Sequence, residues 1–88
     1  MANSTTLSFT VPKELKLKLD AITSIGYYDS LSEFLRDAIR HLLDNRKDLR
    51  IALAFELYKK ESISLGKAAE IIGSSVEETK ELFKEREI

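Results

Sequence analysis

Thr6, Ser8 and Thr10 set three hydroxyls at every second position of the stretch Thr6-Leu7-Ser8-Phe9-Thr10-Val11, and Leu7, Phe9 and Val11 fill the places between. A hydroxyl both donates and accepts a hydrogen bond, and threonine adds a methyl group, so a row of them is suited to reading base edges and thymine methyls in a DNA groove. With nothing docked, the same row is a solvated surface. A second chemical feature is Ser30-x-x-Glu33, a capping box at a helix start, where free backbone amides and the helix dipole favour an anion such as phosphate. Lys13, Lys16 and Lys18 form a solvated basic face, of which Lys13 is the candidate phosphate contact. His41 is the only histidine and there is no cysteine, so it has no second metal ligand of either kind to work with. No nucleophile, base and orienting group assemble along the chain, so the sequence reads as a non-enzyme with no cofactor and no metal.

Elements must hold these residues in place. Alternation over residues 6–11, with β-branched and aromatic types prominent, predicts one half-buried strand with Leu7, Phe9 and Val11 inward. The rest of the chain reads as helices, so such a strand would find no partner within the chain. Its unsatisfied backbone would recruit a second copy, antiparallel across a two-fold axis, making an obligate dimer.

Pro12 stops the strand and suits a helix start, and the spacing of Leu15, Leu19, Ile22 and Ile25 predicts a first helix over residues 13–25 ended by Gly26. A second helix follows the capping box, with Leu31, Phe34, Leu35, Ala38, Ile39, Leu42 and Leu43 on one stripe. Residues 44–48 are the boundary expected before a third helix over 49–60, apolar on most sides and therefore buried on most sides. Ser62 or Ser64 then caps a fourth helix over 65–72, ended by Gly73. Ser75 with Glu78 starts a fifth. Residues 1–5 read as a polar tail.

The chain has 88 residues, 43% hydrophobic and 33% charged, which is the composition of one small globular domain or of one with an appendage. The net charge of −1 divides unevenly, with residues 1–50 slightly basic and 51–88 slightly acidic. No run of basic residues would bind DNA by charge alone. The absence of cysteine and of any long apolar run fits a soluble cytoplasmic protein of a reducing compartment, with no membrane partner.

The segments TLSFTVPKEL and GYYDSLSEFLRDAIRHLL carry a resemblance to the ribbon-helix-helix family of Arc, MetJ and CopG-type repressors, covering residues 5–46. That resemblance implies a mainly α fold with one β-strand per chain, paired antiparallel in a homodimer. It also implies base reading by Thr6, Ser8 and Thr10 from a two-stranded ribbon in the major groove. Phosphate would sit at Ser30, Leu31 and Ser32. The dimer core would be Leu7, Phe9, Val11, Phe34, Leu35, Ala38, Ile39 and Leu42. Many relatives have Arg where this chain has Leu31, and the strand carries no Lys or Arg. One dimer would therefore bind DNA weakly and depend on neighbouring dimers.

The remainder, RIALAFELYKKESISLGKAAEIIGSSVEETKELFKEREI, is similar to small prokaryotic helical proteins of antitoxin type, with ISLGKAAEIIG as its distinctive part. Its Gly73 turn between helices also looks like a helix-turn-helix, but Glu77, Glu78 and Glu81 at the start of the last helix would repel phosphate. The expectation is therefore a ribbon-helix-helix domain over 1–46 and a helical, partner-binding extension over 47–88. The protein would be a homodimeric, sequence-specific transcriptional regulator acting on double-stranded DNA, a repressor whose main variant is the antitoxin of a toxin protein. The alternative is an interaction module in which the ribbon only dimerises.

Overall fold

Local signals set where the helices begin and end. The computed structural model describes residues 4–87 and contains α1 (Lys13–Ser24), α2 (Leu31–Asp44), α3 (Lys47–Lys59), α4 (Leu65–Ile72) and α5 (Val76–Arg86). Pro12 takes the N-cap position of α1, one place earlier than the first helical residue, and Gly26 follows the helix end at φ 83°. The break between α2 and α3 falls at Asn45 and Arg46, so these two helices are not continuous. Arg46 forks onto Asp48 at 2.9 and 2.7 Å in the first turn of α3, and this guanidinium holds the Asp48 carboxyl down at about 2.

At the end of α3 the Glu61 amide donates to the Tyr58 carbonyl and the Ser62 amide to the Leu57 carbonyl, each at 2.9 Å. That pattern is a Schellman motif, and it places Glu61 in the left-handed region at φ 61°. Ser64 then caps α4, its Oγ accepting from the Lys67 amide at 3.1 Å. Gly73 closes α4 at φ 84°, a conformation glycine adopts without a Cβ penalty. Ser75 Oγ accepts from the Glu78 amide at 3.0 Å and starts α5.

The chain divides into two compact units between Ala38 and Ile39, inside α2 and earlier than the boundary expected at residues 46 and 47. In the C-terminal unit α4 packs against both α3 and α5. Ala54, Ala68, Ile72 and Phe83 form its core, with Ile51, Phe55, Ile63, Leu65, Ile71 and Leu82 packed around them. Small residues on α3 and α4 let these helices approach closely, and Ile72 and Phe83 fill the volume beneath. Thr79 is fully buried; its Oγ1 donates to the Ser75 carbonyl at 2.7 Å. Because that proton is committed, the 2.9 Å contact with Ser74 Oγ is one in which Ser74 donates. The third helix meets its apolar expectation in part: Leu49, Ile51, Leu53, Phe55 and Leu57 are half-buried, but only Ala54 is wholly so.

The N-terminal unit differs. No residue of 4–38 is buried, and Val11, Leu19, Ile22, Thr23, Tyr28, Phe34 and Leu35 are half-buried. Residues 4–12 form neither helix nor strand. This corrects the expected fold class: the described residues are helical as anticipated, but the strand over residues 6–11, and with it the ribbon-helix-helix architecture, is not present. The physical reason lies in the backbone. Alternation and β-branching report how side chains suit a pleated surface, whereas a strand exists only where ladder bonds are made, and residues 4–11 make no backbone hydrogen bond among the described residues. Of the expected polar tail, residues 1–3 lie outside the described residues, while Ser4 and Thr5 are exposed. No helix among the described residues is long and apolar enough to cross a membrane.

Ile72→Ala removes the largest wholly buried apolar side chain and should cost about 2–5 kcal/mol. Denaturant unfolding followed by circular dichroism should give the same loss at low and high protein concentration, because this core lies within one chain.

Candidate functional site

The start of α2 is built by its own loop. Ser30 Oγ accepts from the Glu33 amide at 3.1 Å, and the Glu33 carboxylate accepts from the Asp29 amide at 2.9 Å. The capping box therefore forms with its return bond one residue earlier than the usual Ser30 amide. Tyr28 clamps the same loop. Its hydroxyl donates to Asp37 at 2.5 Å and its ring meets Phe34 edge-on at 5.2 Å. The hydrogen bond it donates to Asp37 pushes the Tyr28 phenol up from its ordinary value, since losing the proton would break that bond and set two negative oxygens side by side. With the Glu33 amide held by Ser30, no hydrogen bond among the described residues reaches the Leu31 and Ser32 amides. These two expected phosphate donors are thus unspent at the positive end of the α2 dipole.

Thr6, Ser8 and Thr10 are all exposed, as is Lys13 at the first turn of α1. They are not gathered on a face separate from the apolar residues. Ser8 borders the same open groove as Leu7 and Phe9, a cavity of about 420 Å³ that also takes in Val11, Leu19 and Leu35. Leu31 and Ser32 reach its edge, so the groove brings residues expected to read bases, bind phosphate and form the dimer core to one place. A Lys16–Asp20 ion pair at 2.9 Å crosses its rim. Leu7 is 87% and Phe9 65% exposed within one chain.

On α2 the expected core stripe is likewise open. Phe34 and Leu35 are half-buried, Ala38 is exposed, and Ile39 and Leu42 are each more than half exposed. Arg36 and Arg40, four residues apart, share one side of the helix and form no ion pair among the described residues. His41 is exposed and only its backbone carbonyl is engaged, by Asn45. No group of His, Asp or Glu among the described residues is arranged to hold a metal ion.

Two features escaped sequence reasoning. Arg50 is half-buried, and its guanidinium donates to the Leu43, Asp44 and Ile72 carbonyls at 2.7 to 3.2 Å. It satisfies the last carbonyls of α2 and α4 together, where cations are favoured by both dipoles. The available signal was an arginine opening the apolar run RIALAFELY, a place where a guanidinium is retained only if its donors are used. The second feature is a groove in the C-terminal unit lined by Tyr58, Leu65 and Phe83.

Residues 30–88, from the α2 cap onward, match the family model described as an uncharacterised protein family, UPF0175. A curated UPF0175 protein of Halobacterium salinarum is 40% identical over 74 residues, covering 84% of this chain and 76% of its own. The chain belongs to the UPF0175 family. The UPF0175 match takes in the whole C-terminal unit, including Arg50 and the Tyr58 groove, and begins at the serine that caps α2. The family identified is UPF0175 and not the ribbon-helix-helix family that residues 5–46 resemble. No solved structure matches the chain.

Arg50→Met keeps the side-chain stem but orphans three carbonyls, and should cost about 1–3 kcal/mol. Arg50→Lys should recover only part of that, because an ammonium cannot reproduce the fork. Urea unfolding of the three proteins checks the order.

Proposed function

We propose that the protein is a homodimeric DNA-binding transcriptional regulator of antitoxin type, with its N-terminal unit completed by a second copy and its C-terminal helices available to a protein partner. The observation that carries the reading is the open apolar surface of the N-terminal unit, in which nothing is buried. Leu7 and Phe9 stand exposed beside the apolar groove they share with Val11, Leu19 and Leu35, and open apolar surface of this kind marks association sites. An identical copy is the economical occupant, since a two-fold axis sets one apolar face on its own image. In this reading Thr6, Ser8 and Thr10 supply base contacts. The Leu31 and Ser32 amides, with Lys13, supply phosphate contacts.

The support for DNA comes from the exposed hydroxyls of Thr6, Ser8 and Thr10 and from the unspent amides at the start of α2. Electrostatics support it least, because residues 4–38 hold Lys13, Lys16, Lys18 and Arg36 against five carboxylates. That balance favours a second reading, a protein interaction module in which the N-terminal unit only dimerises. Under the first reading a single dimer binds weakly and gains affinity from neighbouring dimers on the same DNA.

Two measurements separate the readings. Phe9→Asp puts a charge on the open apolar face of the N-terminal unit, and sedimentation should show monomer where the wild type is a dimer; a variant that stays dimeric would move the association elsewhere. Changing Thr6, Ser8 and Thr10 together to Ala should leave the dimer intact. Fluorescence anisotropy on the DNA upstream of the gene and on a scrambled duplex, each at two salt concentrations, should then show lost discrimination. The expected loss is about 1–3 kcal/mol for each good base contact, with salt-sensitive binding retained through phosphate contacts. A wild type that prefers no natural sequence would leave the interaction module as the function.

A further inference from the structure

The C-terminal unit has a groove that its own core leaves open. Tyr58 of α3, Leu65 of α4 and Phe83 of α5 line it, and Lys80, Lys84 and Glu87 stand at its edge. Phe83 is 4% exposed and forms the floor, while Tyr58 is 37% exposed and leans over it at 5.3 Å between ring centroids. The cavity is about 260 Å³, below the range of pockets that enclose a cofactor or small metabolite. That volume suits one large apolar side chain.

Charge narrows the occupant. Lys80 and Lys84 lie four residues apart on α5, and neither forms an ion pair among the described residues, whereas Lys47, Lys59, Lys60 and Lys67 each do. Arg86 adds a guanidinium 6.0 Å from the Phe55 ring, which itself meets Phe83 edge-on at 5.2 Å. The groove itself is therefore edged by two lysines, without ion pairs among the described residues, against Glu87.

We propose that this groove receives a large apolar side chain from an acidic segment of a partner protein, the apolar group seated on Phe83 and the flanking carboxylates paired with Lys80 and Lys84. This names the chemistry of the partner and rests on the reading of the C-terminal helices as partner-binding. Apolar burial supplies the anchor, and the lysines supply orientation and a salt-dependent association rate.

The test uses the full chain and a fluorescein-labelled helical peptide with one central Phe and Glu at most other positions. Two control peptides replace the Phe by Ala or every Glu by Lys, and a single-stranded oligonucleotide tests the nucleic-acid alternative. By anisotropy the wild type should bind the Phe/Glu peptide at least about tenfold more tightly than either control. Tyr58→Ala should weaken it. Lys80→Glu with Lys84→Glu changes only exposed residues, so folding survives, and it should reverse the preference towards the Lys peptide. Equal binding of all three peptides, an unchanged preference in the double variant, or oligonucleotide competing for the groove would overturn the proposal. Upstream-DNA discrimination is measured on the same samples. If it persists when the peptide fails, the groove proposal falls alone and the regulatory reading stands.

Discussion

A side chain leaves water only when protein lies on every side of it, and the two units of this chain meet that condition unequally. In the C-terminal unit α4 has neighbours on two sides, α3 and α5. Ala68 and Ile72 are consequently wholly enclosed, and Phe83 nearly so. The N-terminal unit has α1, part of α2 and a lead-in over residues 4–12 that is neither helix nor strand, which is too few layers to enclose anything. The core of the C-terminal unit is thus closed by residues of one chain.

The same asymmetry decides what was legible in the sequence. The bounds of α4 and the capping serines of α2 and α5 follow from local chemistry, since a cap needs one hydroxyl and one amide three residues away. Gly73 is legible for the same reason. The strand over residues 6–11 failed because its evidence was local and its existence is not. Alternation in Leu7, Phe9 and Val11 describes side chains ready for a pleated surface, but nothing nearby in sequence supplies the ladder. Arg50 was missed from the opposite direction, since its partners lie seven and twenty-two residues away and no spacing rule links an arginine to carbonyls that distant.

At the candidate site, the preparation of the α2 start was readable and the gathering of residues around it was not. Ser30 and Glu33 stand at a spacing that announces a cap. The Tyr28–Asp37 bond and the Tyr28–Phe34 contact that fix this turn join residues across a loop, and only folding brings them together. The groove bordered by Ser8, Phe9, Leu31 and Leu35 shows why the separation into a reading face and a core face did not carry over. That separation is a property of a pleated strand, and the chain as folded does not pleat there.

Charge is ordered along α5 as well as apolar content. Glu77 and Glu78 at the start of α5 and Lys84 and Arg86 at its end complement the helix dipole, a sufficient structural reason for that order of charge. The order has a second consequence. It sets carboxylates at the end of α5 nearest the Gly73 turn, where a helix-turn-helix would meet DNA, and cations beside the aromatic groove of Tyr58 and Phe83. The charges that complement the dipole thus also decide what each end of α5 presents to a neighbour, and the two ends differ.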